Sequence, residues 1–153
     1  MKYHAYLSKD QGLNSLPTNP CKLLDFNLLK LADGQEYASS TGDREILAVI
    51  LGGRASFEVN GTDLGVFGGR PNVFSGKPYS VYLPAGVEYV IKAVGSVEIA
   101  LPSAPSEMEI DAYVIHPYVK LHGDQRIGLG IEIDTRFPQP EIAVLQILII
   151  PEC

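Results

Sequence analysis

Tryptophan is absent from the 153-residue chain, and the only cysteines are Cys21 and Cys153, one near each end. With no Cys-x-x-Cys spacing, neither a thiolate metal site nor a disulfide framework is expected, and a reducing cytoplasm is the natural setting. Basic residues are also scarce: 12 Lys and Arg against 18 Asp and Glu give a net charge of -6. No local cluster of Lys and Arg offsets that acidity, so nucleic acid is not an expected partner. Long apolar runs are missing as well. The longest, Ile46 to Leu51 and Leu145 to Ile150, have the length of buried strands, well short of the roughly 20 residues that span a bilayer as a helix. No membrane association is expected, and Met1-Lys2-Tyr3-His4 opens no apolar signal core. Gly65 to Gly69 lacks a following Lys-Ser/Thr pair, and no Gly-x-Ser-x-Gly elbow occurs. Nucleotide binding and nucleophilic hydrolysis are thereby set aside.

What is present is an ordinary globular balance, 46% hydrophobic against 20% charged, in a chain sized for one domain. Sustained helical periodicity is absent, and short β-branched and aromatic runs alternate with Gly and Pro. Leu23 to Leu31, Glu45 to Leu51, Ala55 to Val59, Ser80 to Leu83, Val87 to Lys92 and Ser96 to Leu101 read as strands. Asn60-Gly61 is the strongest type I′ turn signal. Pro102 to Glu107 reads as a linker or barrel exit; Met108 to Val119, Ile127 to Ile133 and Ile142 to Ile150 read as further strands. The expected fold is all-β, a single barrel of antiparallel strands with extra terminal segments. Residues 1–33 form an arm and first strand, 34–105 the barrel core, and 106–153 divergent strands packing on the barrel or on a partner. The apolar last strand predicts a homodimer through a sheet edge.

Tyr82-Leu83-Pro84-Ala85-Gly86, a strand running into Pro-x-Gly, resembles the second motif of the cupin barrels. The resemblance implies a jelly-roll (double-stranded β-helix) fold, and in metal-binding cupins a His at the position of Tyr89. The first motif aligns with Gly34, Glu45 and Gly52 and places its two histidine positions at Ser40 and Gly42. With three of four ligand positions changed, no metal or other cofactor is expected in this barrel. Within that superfamily, Thr41-Gly42-Asp43-Arg44-Glu45, Leu51-Gly52-Gly53-Arg54-Ala55 and Gly69-Arg70-x-x-Val73-Phe74-x-Gly76-Lys77-Pro78 resemble the N-terminal part of the 5-deoxy-glucuronate isomerase family of myo-inositol and uronate catabolism. Members of that family are two-barrel proteins whose metal-binding histidines lie in the second barrel, which this chain does not contain.

The resemblance implies an aldose–ketose isomerisation of a sugar acid through an enediol. That chemistry needs a base near neutrality and a cation or strong donor at the enediolate oxygen. Glu45, read as pointing into the barrel, is the candidate base, and Tyr89 a second catalytic candidate that would hydrogen-bond a sugar hydroxyl. Arg44, Arg54 and Arg70 are candidate carboxylate binders, since guanidinium meets carboxylate as a fork. Each has a plainer reading: Glu45 as a strand-end acid paired with Arg44 or Lys92, Tyr89 as a core tyrosine, Arg70 as a loop brace. His116 and His122, with Asp124 nearby, would be about 20 Å apart on an extended strand, too far for one ion. His4 falls in the arm. The alternatives are a noncatalytic, metal-free sugar-acid-binding or assembly cupin domain, or a truncated relative lacking the second, metal-binding barrel.

Overall fold

A computed structural model of the chain describes residues 7–19 and 21–117. The expected strands at 127–133 and 142–150, the end of the one at 108–119, and His4, His122 and Asp124 lie outside the described residues. Every regular element described is a strand: β1 (Gly12–Ser15), β2 (Asp25–Leu31), β3 (Glu36–Ser40), β4 (Arg44–Gly52), β5 (Arg54–Val59), β6 (Thr62–Gly68), β7 (Ser80–Leu83), β8 (Glu88–Ala93), β9 (Val97–Pro105) and β10 (Tyr113–Ile115). Two sheets form, one in the order β1-β2-β9-β4-β7-β10 and the other β3-β8-β5-β6. All pairings are antiparallel. This is the expected cupin-type jelly roll.

Alternation within the strands fills the space between the sheets. Ala55, Phe57 and Val59 of β5 and Tyr89, Ile91 and Ala93 of β8 meet Leu29, Leu31, Ala48, Ile50, Val81, Leu83, Val97, Ile99 and Leu101 from the larger sheet. Burying each larger apolar side chain contributes about 1.5–3 kcal/mol, so this cluster is the main source of stability. The β5–β6 hairpin closes on Asn60-Gly61, both at positive φ (49° and 77°), with Val59 opposite Thr62. These angles are those of the type I′ turn the dipeptide predicts.

Three differences from the sequence reading have physical causes. β2 is integral to the larger sheet, and the arm does not merely cross the surface: β1 pairs with β2, where the buried Asn14 amide donates to the Leu28 carbonyl at 3.2 Å. β3 and β6 were not foreseen: β3 is largely polar, β6 has its apolar Leu64, Val66 and Phe67 interrupted by Gly65 and ended by Gly68, and both are exposed or half-buried. The linker expected from Pro102 is strand: β9 runs to Pro105, with Phe26 opposite Pro102 and Arg44 opposite Pro105. Among the described residues no helix is long and apolar enough to cross a membrane.

The larger sheet also has a buried outer face. Ile46, Ala48 and Ile50 of β4 point between the sheets, so Glu45 and Leu47 point the other way. Glu45 is 3% exposed, and the hydroxyl of the fully buried Tyr82 donates to its Oε2 at 2.8 Å. Tyr113 of β10 stacks on Tyr82, ring centroids 5.0 Å apart. Tyr82→Phe would leave a buried carboxylate without its donor. The expected loss is about 2–3 kcal/mol of unfolding free energy, read by urea denaturation; a loss within error would show that Glu45 does not depend on this bond.

Candidate functional site

At one end of the barrel the strands leave a cavity of about 420 Å³. Its walls come from chain segments far apart in sequence. β2 supplies Asp25 and Asn27, two residues apart and so on one face; β3 supplies Tyr37 and Ser39; β4 supplies Arg44 and Ile46; β8 supplies Tyr89 and β9 Ser103. Register fixes the neighbours: Ser39 lies opposite Tyr89, and Asp25 opposite Ser103. The Tyr37 and Tyr89 rings meet at 6.3 Å, tilted by 53°. Thr41 closes the turn behind them, its hydroxyl accepting from Val87 N at 3.0 Å.

Arg44 stands at the lip, 24% exposed. Its Nε donates to Ser103 Oγ at 3.1 Å, and Nη2 to the carbonyls of Leu23 at 2.8 Å and Ser103 at 2.9 Å. The same Nη2 lies 3.1 Å from Asp25 Oδ2, so the lip carries one cation and one anion. Nη1 has no hydrogen-bond partner among the described residues.

Tyr89 is buried, and burial pushes its phenol up to about 12, with the nearby Tyr37 adding to the rise and a hydrogen bond to Ser39 opposing it. At neutral pH it is therefore a hydroxyl donor and not a base. Tyr113 is pushed up to about 12 by burial and then by the Glu45 charge; Tyr82 is raised by burial first and then by its bond to Glu45. A raised phenol favours the folded state fully below the unfolded value of about 10. That contribution fades as pH climbs to the folded value. Stability is thus expected to fall between pH 10 and about 12, read by urea denaturation followed by circular dichroism across a pH series. A urea midpoint unchanged from about pH 9 to about 12 would contradict it.

Only part of the expected site converges. Arg44 and Tyr89 line the cavity; Glu45 does not. The expectation that Glu45 points into the barrel is corrected: it lies on the outer face with Tyr82, and the inward residue at that place is Ile46. Nor does Glu45 pair with Arg44 or Lys92, whose partners are Asp25 and Glu36. Arg54 and Arg70 sit at the other end of β4. Arg70 Nε donates to the Ile50 carbonyl at 3.1 Å and Nη1 to Gly76 at 2.9 Å, bracing the loop before β7, and burial lowers its guanidinium from the ordinary value. Exposed Arg54 lies opposite Gly68. Ile50 is about 20 Å along the strand from Arg44, so the three arginines do not grip one carboxylate. His116 sits among aromatic rings, 5.4 Å from Tyr79 and 6.4 Å from Phe67. Sequence reasoning missed Asp25, Asn27, Tyr37, Ser39 and Ser103; recognising β3 and its alternation would have found Tyr37 and Ser39.

The cupin fold raises the question of a metal ion, and the cavity does not fit one. Its donors are hydroxyls, amides and phenols, with a single carboxylate already facing a guanidinium. A divalent cation needs several converging anionic or imidazole ligands, and Arg44 would repel it. Among the described residues no group of three or more His, Cys, Asp or Glu is placed to hold a metal.

Fold and cavity together define a cupin barrel with a hydroxyl-lined mouth. The chain belongs to the KduI/IolB family, whose model matches residues 8–125. It is 36% identical over 93 residues to the 5-deoxy-glucuronate isomerase of Geobacillus kaustophilus (strain HTA426), a match covering 60% of this chain and 34% of that protein. The Bacillus subtilis (strain 168) 5-deoxy-glucuronate isomerase is 30% identical over the same coverage. The match thus spans about a third of the length of these curated relatives. An IolB-like protein from Salmonella typhimurium LT2 superposes with a TM-score of 0.66 at 26% identity, covering 78% of this chain and 48% of that one. Bacillus subtilis oxalate decarboxylase shares the fold, with a TM-score of 0.50 at 15% identity over 69% of this chain and 28% of that one.

Proposed function

We propose that this protein is 5-deoxy-glucuronate isomerase-like and serves the aldose–ketose isomerisation of a sugar acid in inositol or uronate catabolism, with the barrel mouth as its sugar-acid site. The observation that carries this is a guanidinium held at the lip of a cavity whose polar lining is mostly hydroxyls, amides and two phenols, beside the apolar Leu13, Leu16, Phe26 and Ile46. Such a lining suits a polyhydroxylated ligand with one carboxylate. Arg44 would meet the acid through its guanidinium, Tyr89 would donate to a ring or chain hydroxyl, and Ser39, Asn27 and Ser103 would orient the remainder. The cavity volume falls within the ordinary range for small-molecule sites, about 300–1,000 Å³.

A second reading is favoured by one observation: Asp25 is the cavity's single carboxylate, and it is paired with Arg44. Proton abstraction next to a carbonyl needs a base, so this mouth suits binding better than proton transfer, as in a noncatalytic sugar-acid-binding domain. Proton NMR of 5-deoxy-glucuronate with the purified chain, with and without manganese, zinc or iron, separates the two. Conversion to the ketose supports the isomerase reading, binding without conversion supports the second, and neither overturns both.

We further read the protein as a cytoplasmic homodimer. Phe74, 94% exposed, and Val73 project from the braced loop as apolar surface that a second copy could cover. A monomer in light scattering would contradict the dimer.

A further inference from the structure

We propose that Asp25 is an internal competitor for the ligand carboxylate at Arg44 and thereby sets the affinity and charge selectivity of the cavity; this rests on the sugar-acid reading above. Asp25 already displays how a carboxylate sits at this lip. Its Oδ2 faces Arg44 Nη2 at 3.1 Å, and its Oδ1 accepts from the Asn19 amide at 2.5 Å. Asn19 is itself held, donating to the Leu24 carbonyl at 2.7 Å and accepting from Cys21 N at 3.0 Å. The carboxylate position is therefore built by two fixed donors.

The partners of Arg44 divide in a way that makes exchange feasible. Three contacts, to Ser103 Oγ and to the Leu23 and Ser103 carbonyls, are neutral and hold the guanidinium in place. The one anionic partner is Asp25, whose side chain is 50% exposed and can rotate toward solvent. While Asp25 stays, the lip has no net charge and an arriving carboxylate meets a like charge beside the cation. When Asp25 turns out, the arriving carboxylate replaces one anion with another and leaves the three neutral contacts intact. Affinity for an acid is lowered by this competition; affinity for the neutral sugar is not.

The test is calorimetric titration of the full chain and its Asp25→Asn variant with D-glucuronate and D-glucose. Asparagine keeps the shape and the oxygen that accepts from Asn19 while removing the charge. D-glucuronate is expected to bind the variant about five- to tenfold tighter, the effect of one like charge a few ångströms away in a partly exposed site. D-glucose affinity should change far less than D-glucuronate affinity, and the tightened binding should weaken more steeply with added salt. Asp25→Ala, which also removes the oxygen accepting from Asn19, should tighten D-glucuronate in the same direction. Unchanged or weaker D-glucuronate binding by a folded Asp25→Asn overturns the competitor role while leaving the sugar-acid reading standing. Absence of D-glucuronate binding in both proteins overturns that reading and this inference with it.

Discussion

Gly53→Ala is expected to remove most of the stability of the fold, with a loss of about 4 kcal/mol or more, in the range reserved for severe backbone or core disruption. Gly53 links β4 to β5 at φ +86°, and a Cβ there would stand 2.1 Å from the Ser96 carbonyl oxygen and 2.9 Å from Val97 Cα. Both obstacles are backbone, so no side-chain rotation relieves them. The neighbourhood is locked besides: Gly53 N donates to Arg70 O at 2.9 Å, and Gly69 N donates to Gly53 O at 2.8 Å. Gly61→Ala is the control. It has a comparable φ of +77° but nothing within 4 Å of a Cβ, so it should cost only about 1–2 kcal/mol for the left-handed backbone. Urea denaturation of the two variants checks the difference, and equal losses would refute the packing argument.

Arg44→Gln carries the largest expected effect on binding. Charge-assisted hydrogen bonds contribute about 1.5–3 kcal/mol each, so losing one to a ligand carboxylate should weaken D-glucuronate by about 10- to 100-fold. D-glucose should weaken far less, because it makes no ion pair. The variant should also unfold at lower urea, since Ser103 and the Leu23 carbonyl lose a donor and Asp25 loses its cation. Circular dichroism separates a folded non-binder from a destabilised chain. Full D-glucuronate affinity in Arg44→Gln would remove Arg44 from the site.

The parts of this fold legible in the sequence are those where apolar density was high. β4, β5 and β7 emerged within a residue or so of their observed ends, and the hairpin turn at Asn60-Gly61 was read correctly. β3 escaped because its pattern is largely polar, with Tyr37 as its one large apolar residue, and it carries three of the cavity's lining residues. Glu45 shows how sharp the limit is. Strand alternation has a period of two, so an offset of one residue between Glu45 and Ile46 moves a side chain from the cavity face to the outer face. Arg70 shows another limit: sequence chemistry gives a guanidinium but not whether it meets a ligand or the chain's own carbonyls, and here it braces a loop. Asp25, Tyr37, Arg44 and Ser103 come together only through the jelly-roll crossing of strands, which spacing along the chain does not reveal. The family resemblance, by contrast, rested on local runs and is matched by the family assignment over residues 8–125.

The central claim, that the barrel mouth around Arg44 is a sugar-acid site, is tested most directly by titrating D-glucuronate into isotopically labelled protein and following amide and Arg Nε resonances. Saturable shifts at Arg44 Nε and at the amides of Ser39, Tyr89 and Ser103, with Arg54 and Arg70 unmoved, are the predicted result. No saturable shift at these groups, or shifts centred on Arg54 and Arg70 at the other end of β4, would contradict it.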